Sequence, residues 1–146
     1  MTKVKKTKRK TKKKKMHKYY NPNPMDRRTD DCTIRAISKI FDMDWDSAYL
    51  DLLYKGFQLK AMPDATFVWG AYLNSRGFKR KNLPDTCPLC YTVKQFSEDY
   101  PEGKYLVATR DHVIAVIDGD YYDTWDSGDE VPIYYWKETD SNDARK

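Results

Sequence analysis

Only three of the 146 residues are cysteine, and an odd, small count does not make a disulfide framework. With no apolar segment following the basic N-terminal run, a secretory leader is not expected. A reducing, cytoplasmic setting is the corresponding expectation. No run of apolar residues approaches the ~20 that a membrane-spanning helix needs, so no membrane partner is expected. There is no internal repeat. Metal ligands are also scarce. Cys87-Pro88-Leu89-Cys90 has ligand spacing, but a structural zinc takes four ligands and no second cysteine pair exists. The chain therefore suggests no metal and no cofactor. The Cys87/Cys90 loop reads as two free thiols, with a redox pair or a partial metal site as the other readings.

Acidic residues are absent from positions 1–20, which hold ten Lys and one Arg. The other 126 residues carry 16 basic against 22 acidic side chains, from 27 − 11 and 22 − 0. The net charge of +5 thus joins an intensely basic tail to a mildly acidic body. Like charges repel and bury nothing, so residues 1–18 are expected to be disordered. Such a tail can contact nucleic acid or another polyanion through its phosphate-neutralising lysines. It lacks interleaved aromatics, which speaks against sequence-specific readout. The folded domain is expected over residues 19–138, with a disordered C-terminal tail over 139–146.

Within that domain the period of the apolar residues changes. Ala36, Ile37, Ile40 and Phe41 make a helical stripe over residues 32–41, with Thr29, Asp30 or Asp31 as caps. A second helix is expected from Asp46 to before Gly56, and a third from near Asp64 to Gly77. A short fourth is expected from Thr92 to about Tyr100. Strands are expected over 104–109, 112–117, 121–125 and 131–136, rich in β-branched and aromatic residues. Asp118-Gly119 is a tight-hairpin signal. Helices first and an antiparallel meander after them is an α+β pattern, with N-terminal helices packed on a C-terminal sheet.

Two residues carry the chemistry. Cys32 opens the first helix, where the dipole and unpaired amides favour thiolate. His112 opens a strand and can hold the thiol proton. Pairing across the 118–119 turn brings His112 opposite residues 125–127. Asp126 falls in that window and can orient the imidazole. Asp123, nearer to Ala115 in the same register, is the lesser candidate unless a bulge intervenes. Cys32 can also be read as a small buried residue at the edge of the helix stripe. Likewise Asp126 can be read as opening a turn with Ser127-Gly128.

In this order the pieces resemble a compact papain-like thiol hydrolase, near small phage-type domains of the bacteriocin-leader-peptidase-like branch. The resemblance rests on Asp31-Cys32-Thr33-Ile34-Arg35-Ala36, Gly103-Lys104-Tyr105-Leu106-Val107, His112–Gly119 and Tyr122-Asp123-Thr124-Trp125-Asp126. It implies a papain-like fold and a cysteine peptidase, isopeptidase or amidase working through a thioester on a peptide or protein substrate. Cys32 would be the nucleophile, His112 the acid/base and Asp126 the third member. A phage origin, and with it a virion-associated location as the alternative to the cytoplasm, is part of the same resemblance. Such enzymes often hold a Gln about six residues before the nucleophile. Here that place is taken by Asp26, which cannot donate when ionised. The Cys32 amide remains as an oxyanion donor, and Asn21 or Asn23 could add a side-chain amide. The alternative function is a papain-like binding module that has lost catalysis and acts through its basic tail.

Overall fold

The computed structural model describes residues 16–140. The chain forms an α+β fold of four helices and one six-stranded sheet in the order β1-β5-β4-β3-β6-β2. The helices are α1 (Cys32–Ile40), α2 (Trp45–Leu59), α3 (Thr66–Ser75) and α4 (Val93–Asp99). The strands are β1 (His17–Tyr19), β2 (Phe78–Asn82), β3 (Lys104–Ala108), β4 (Val113–Ile117), β5 (Asp120–Asp123) and β6 (Tyr134–Glu138).

Alternation along the central strands assigns one set of side chains to each face of the sheet. Leu106, Ala108, Val113, Ala115 and Tyr134 pack with Ala36, Ile37 and Ile40 of α1, Ala48 and Leu52 of α2, and Trp69, Tyr72 and Leu73 of α3. Tyr105, Val107, Ile114, Val116, Tyr121 and Tyr135 pack instead with Val93 and Phe96 of α4. The sheet is therefore covered on both faces, and its middle strands β3 and β4 are buried almost throughout. Phe96 has no exposed surface and meets Tyr100, Tyr105 and Tyr135 ring to ring. Truncating it to alanine should cost about 3–5 kcal/mol. A urea unfolding curve with an unchanged slope and a lowered midpoint would register that loss.

Local signals place several elements where the sequence suggests. Thr92 caps α4 in a reciprocal box with Gln95. Asp44 caps α2 through the Ser47 amide. Asp118 and Gly119 both take positive φ, 50° and 80°, which is the backbone twist a two-residue hairpin between β4 and β5 requires. That hairpin pairs Ile117 with Asp120, Val116 with Tyr121 and Ala115 with Tyr122.

Elsewhere the structure departs from the sequence expectation. The strands do not form a simple meander: β6 returns to the far side of β3 and pairs antiparallel with it. It also accepts β2, a strand the apolar pattern does not announce. The domain begins earlier than residue 19, because His17 and Lys18 belong to β1, which runs parallel to β5. It also extends past residue 138, since Thr139 bonds the Gly77 carbonyl through both its amide and its hydroxyl. α2 runs through Gly56, whose missing side chain lets the Ala61 carbonyl approach to 2.7 Å of where a Cβ would stand. Residues 1–15 and 141–146, where most of the basic tail and the end of the expected C-terminal tail fall, lie outside the described residues.

Cys87 and Cys90 form a disulfide, where two free thiols were expected. The intervening turn brings their Cα atoms to 4.1 Å. Asp85 holds the Cys87 amide and Thr86 holds the Tyr91 amide on either side. Among the described residues no cluster of three or more His, Cys, Asp or Glu could hold a metal ion, and no helix is long and apolar enough to cross a membrane.

Candidate active site

Three elements meet at one end of the sheet. Cys32 is the first residue of α1, His112 immediately precedes β4, and Asp123 ends β5. The helix stripe of Ala36, Ile37 and Ile40 fixes α1 against β4, so its N-terminus points at the strand mouth. Asp31 stands at the helix N-cap, but its carboxylate makes no capping bond there. It accepts instead from Arg35 and from Trp45 Nε1, the latter at 2.9 Å. The first amides of α1 are left facing the cleft without a side-chain cap.

His112 Nε2 lies 2.5 Å from Asp123 Oδ2, so the other ring nitrogen is available to Cys32. The thiol and the imidazole face each other closely enough that each shifts the ionisation of the other. Burial pushes the Cys32 thiol up, but the His112 bond, the His112 charge, the Val113 amide and the Arg35 charge together bring it below its ordinary value. Burial pulls His112 down. The hydrogen bonds His112 makes to Asp123 and Cys32, and their negative charges, overcome this and raise the imidazole to about 9. Burial likewise raises Asp123, but its bonds to His112 and Ser127 more than offset that and lower it. Cys32 and His112 are thus matched to share one proton as thiolate and imidazolium.

Asp123 is 1% exposed and fully satisfied. Besides His112, its Oδ2 accepts from Ser127 Oγ at 2.7 Å. Its Oδ1 accepts from Arg35 Nη2 at 3.1 Å and from the Thr124 amide at 2.8 Å. Its backbone carbonyl accepts from the Tyr20 amide, and His17 Nε2 lies 3.2 Å from the same oxygen. A buried carboxylate with this many donors stays ionised and holds one position. Trp125 lies over His112 with ring centroids 5.4 Å apart.

The expectation that Asp126 faces His112 is corrected. Continuing the hairpin register beyond Ala115–Tyr122 sets Trp125 opposite His112 and makes Asp123 the diagonal neighbour on the same face. After Asp123 the chain bends out of the ladder. Asp126 is carried to the Tyr121 hydroxyl and the Gly128 amide, both of which it accepts. Cys32 and His112 are brought together; Asp126 is not.

Neither Asn21 nor Asn23 reaches the cleft. Asn21 Nδ2 donates to Asp26 Oδ1 and to the Arg27 carbonyl, both at 3.4 Å, and its Oδ1 takes the Asn23 amide. Asn23 Oδ1 takes the Met25 amide. Asp26 closes this surface turn at φ 52°. Sequence reasoning also missed Arg35, Ser127 and Trp45. Of these, Arg35 had a signal: it lies four residues after Asp31 in a helix that packs on the core, where a buried base needs a carboxylate.

The cleft above the three residues has a volume of about 460 Å³. Trp69, Trp125 and Tyr134 give it aromatic surface, and Thr29, Thr33 and Thr124 add hydroxyls. Its exposed charged lining is Asp30, Asp64, Asp111 and Arg110. Comparisons with protein-family models, curated proteins and solved structures find no match.

Proposed function

We propose that this chain is a cysteine hydrolase of papain-like type that cleaves an amide bond in a peptide, isopeptide or related substrate. One observation carries the reading: a thiol at a helix N-terminus, an imidazole and a buried carboxylate are linked in series, Cys32 to His112 to Asp123. A structural cysteine does not need a histidine whose second nitrogen is held by a four-donor carboxylate.

The roles follow from the bonds. Asp123 accepts from His112 Nε2 and fixes the ring orientation, so the other nitrogen addresses the thiol. Cys32 Sγ attacks the substrate carbonyl carbon as thiolate, and the π electrons move to oxygen. The Cys32 amide at the uncapped start of α1 donates to that oxyanion. Collapse of the adduct breaks the C–N bond, and His112 gives its proton to the departing amine. The thioester then meets a water that His112 deprotonates. Hydroxide adds, thiolate leaves, the acid product departs, and the proton ends on His112.

Iodoacetamide labelling against pH tests this reading. Because the Cys32 pKa is lowered, its labelling rate should reach half-maximum below the ~8.5 of a free thiol. In His112→Ala the half-point should move up, since the largest offsets to the burial that disfavours thiolate would be gone. Hydrolysis should follow a bell with its alkaline limb near 9, where His112 loses the proton it must donate. A Cys32 profile that titrates like an exposed thiol and ignores His112→Ala would refute the assignment. The alternative of a catalytically silent papain-like module acting through its basic tail predicts that Cys32→Ala keeps biological function while loss of residues 1–18 ends it. Contact between that segment and nucleic acid or another polyanion belongs to the same alternative.

A further inference from the structure

The surface outside the cleft is least ordinary on α2. Leu50, Leu53, Tyr54 and Phe57 are 59%, 43%, 63% and 69% exposed. Their spacing of 0, 3, 4 and 7 aligns them in one stripe on the helix. The opposite side of the same helix supplies Ala48 and Leu52 to the core, so packing within the domain does not need the stripe. Large apolar side chains gathered in this way mark an interaction surface rather than scattered exposure.

Charged residues close the stripe at both ends. Asp46 lies four residues before Leu50 and so heads the same face. Lys60, at the C-cap, lays its ammonium 4.1 Å from the Phe57 ring centroid and ends that face. Neither residue has an ion pair with another described residue. The order along the face is acid, Leu50, Leu53/Tyr54, Phe57, base. Turned end for end about an axis between Leu53 and Tyr54, this order meets its own complement. Leu50 falls on Phe57, Leu53 on Tyr54, and Asp46 near Lys60, twice over by symmetry. A self-complementary patch of this kind is what an isologous two-fold contact requires. Tyr49 and Leu59 of α2 are also exposed.

We propose that α2 is a homodimer interface, in which two copies of this chain pair their α2 helices antiparallel across a two-fold axis. The proposal is independent of the reaction at Cys32. Charge complementarity selects the antiparallel arrangement, because a parallel one would set Asp46 against Asp46 and Lys60 against Lys60.

Sedimentation equilibrium of the full chain over a concentration series tests it. The wild type should populate a dimer in the micromolar range, at about 100 μM or below. Phe57→Lys should leave a monomer at the same concentrations. Asp46→Lys should weaken the dimer on the order of tenfold, because each of two symmetric ends then opposes like charges. Asp46→Lys combined with Lys60→Asp should recover most of that loss. Circular dichroism checks that each variant keeps its helices, and the exposed Asp46 change supplies a second arm should Phe57→Lys not fold. A wild type that stays monomeric at about 500 μM overturns the proposal and assigns the face to a different protein. A dimer indifferent to Phe57→Lys places the interface elsewhere. Failure of the double exchange to restore association overturns the antiparallel pairing.

Discussion

Cys32→Ala should remove turnover entirely, to within the residual rate that binding and an oxyanion donor supply without a nucleophile. For a site in which nucleophile and base act as a unit, that loss is on the order of 10⁵–10⁶ in kcat. His112→Ala should cost nearly as much, and the double variant little more than either alone. Single-turnover assays with an activated thiol-reactive acyl donor provide the measurement, because acylation of Cys32 precedes any demand for substrate specificity. Mass spectrometry should place the acyl group on Cys32 alone, with Cys87 and Cys90 held as a disulfide. Strong turnover in Cys32→Ala would end the proposed chemistry whatever the substrate.

The second large effect belongs to Asp123. Asp123→Asn keeps the shape but turns an acceptor of four bonds into a group with one acceptor oxygen. His112 Nε2 would then have no carboxylate to donate to, and the ring would be released to the wrong tautomer. Activity should fall on the order of 10³–10⁴. Stability should fall as well, by about 3–5 kcal/mol, because Arg35 is buried and would lose one of its two carboxylates. Asp126→Asn gives the contrast. It changes an acceptor for the Tyr121 hydroxyl and the Gly128 amide, at a cost of about 1 kcal/mol, and should leave activity within a few-fold. Parallel kinetics and denaturant unfolding on the two variants separate the roles. Equal losses of activity at Asp123 and Asp126 would contradict the site described.

The contrast between these two aspartates shows what was legible in the sequence. Cys32 was readable because a helix start is written in its neighbours. Cap-forming residues precede it, and an apolar stripe follows. His112 was readable because Asp118-Gly119 fixes a turn and the strand before it is β-branched. The third residue was not, because three positions of register separate Asp123 from Asp126. What decides between them is where the chain leaves the ladder, a tertiary event at Thr124 and Trp125. β2 was missed for a different reason. Its sequence Phe-Lys-Arg-Lys-Asn is that of an edge strand, whose charges keep other chains from pairing with it and erase the apolar alternation. β1 was missed because His17-Lys18-Tyr19 continues the basic composition before it and is held by its parallel partner rather than by its own propensity. The four-helix, mixed α+β composition followed from apolar periodicity, whereas the order of strands in the sheet did not. Periodicity reports which face a residue takes and says nothing of which neighbour it pairs with.

The sheet order has a consequence in time. β3 lies between β4 and β6, and β6 is the last strand made. The pocket that lowers the Cys32 pKa needs β4 and β5, eighty and more residues downstream, and Tyr134–Glu138 follows them as the last strand of the sheet. During synthesis, Cys32 leaves the ribosome long before its imidazole and carboxylate exist, at roughly 5–20 residues per second. For those seconds it is an ordinary thiol with the ordinary reluctance to ionise. On the proposed reading, Cys32 becomes a nucleophile only once α1 is docked on β4, and the nascent chain carries it as a plain thiol.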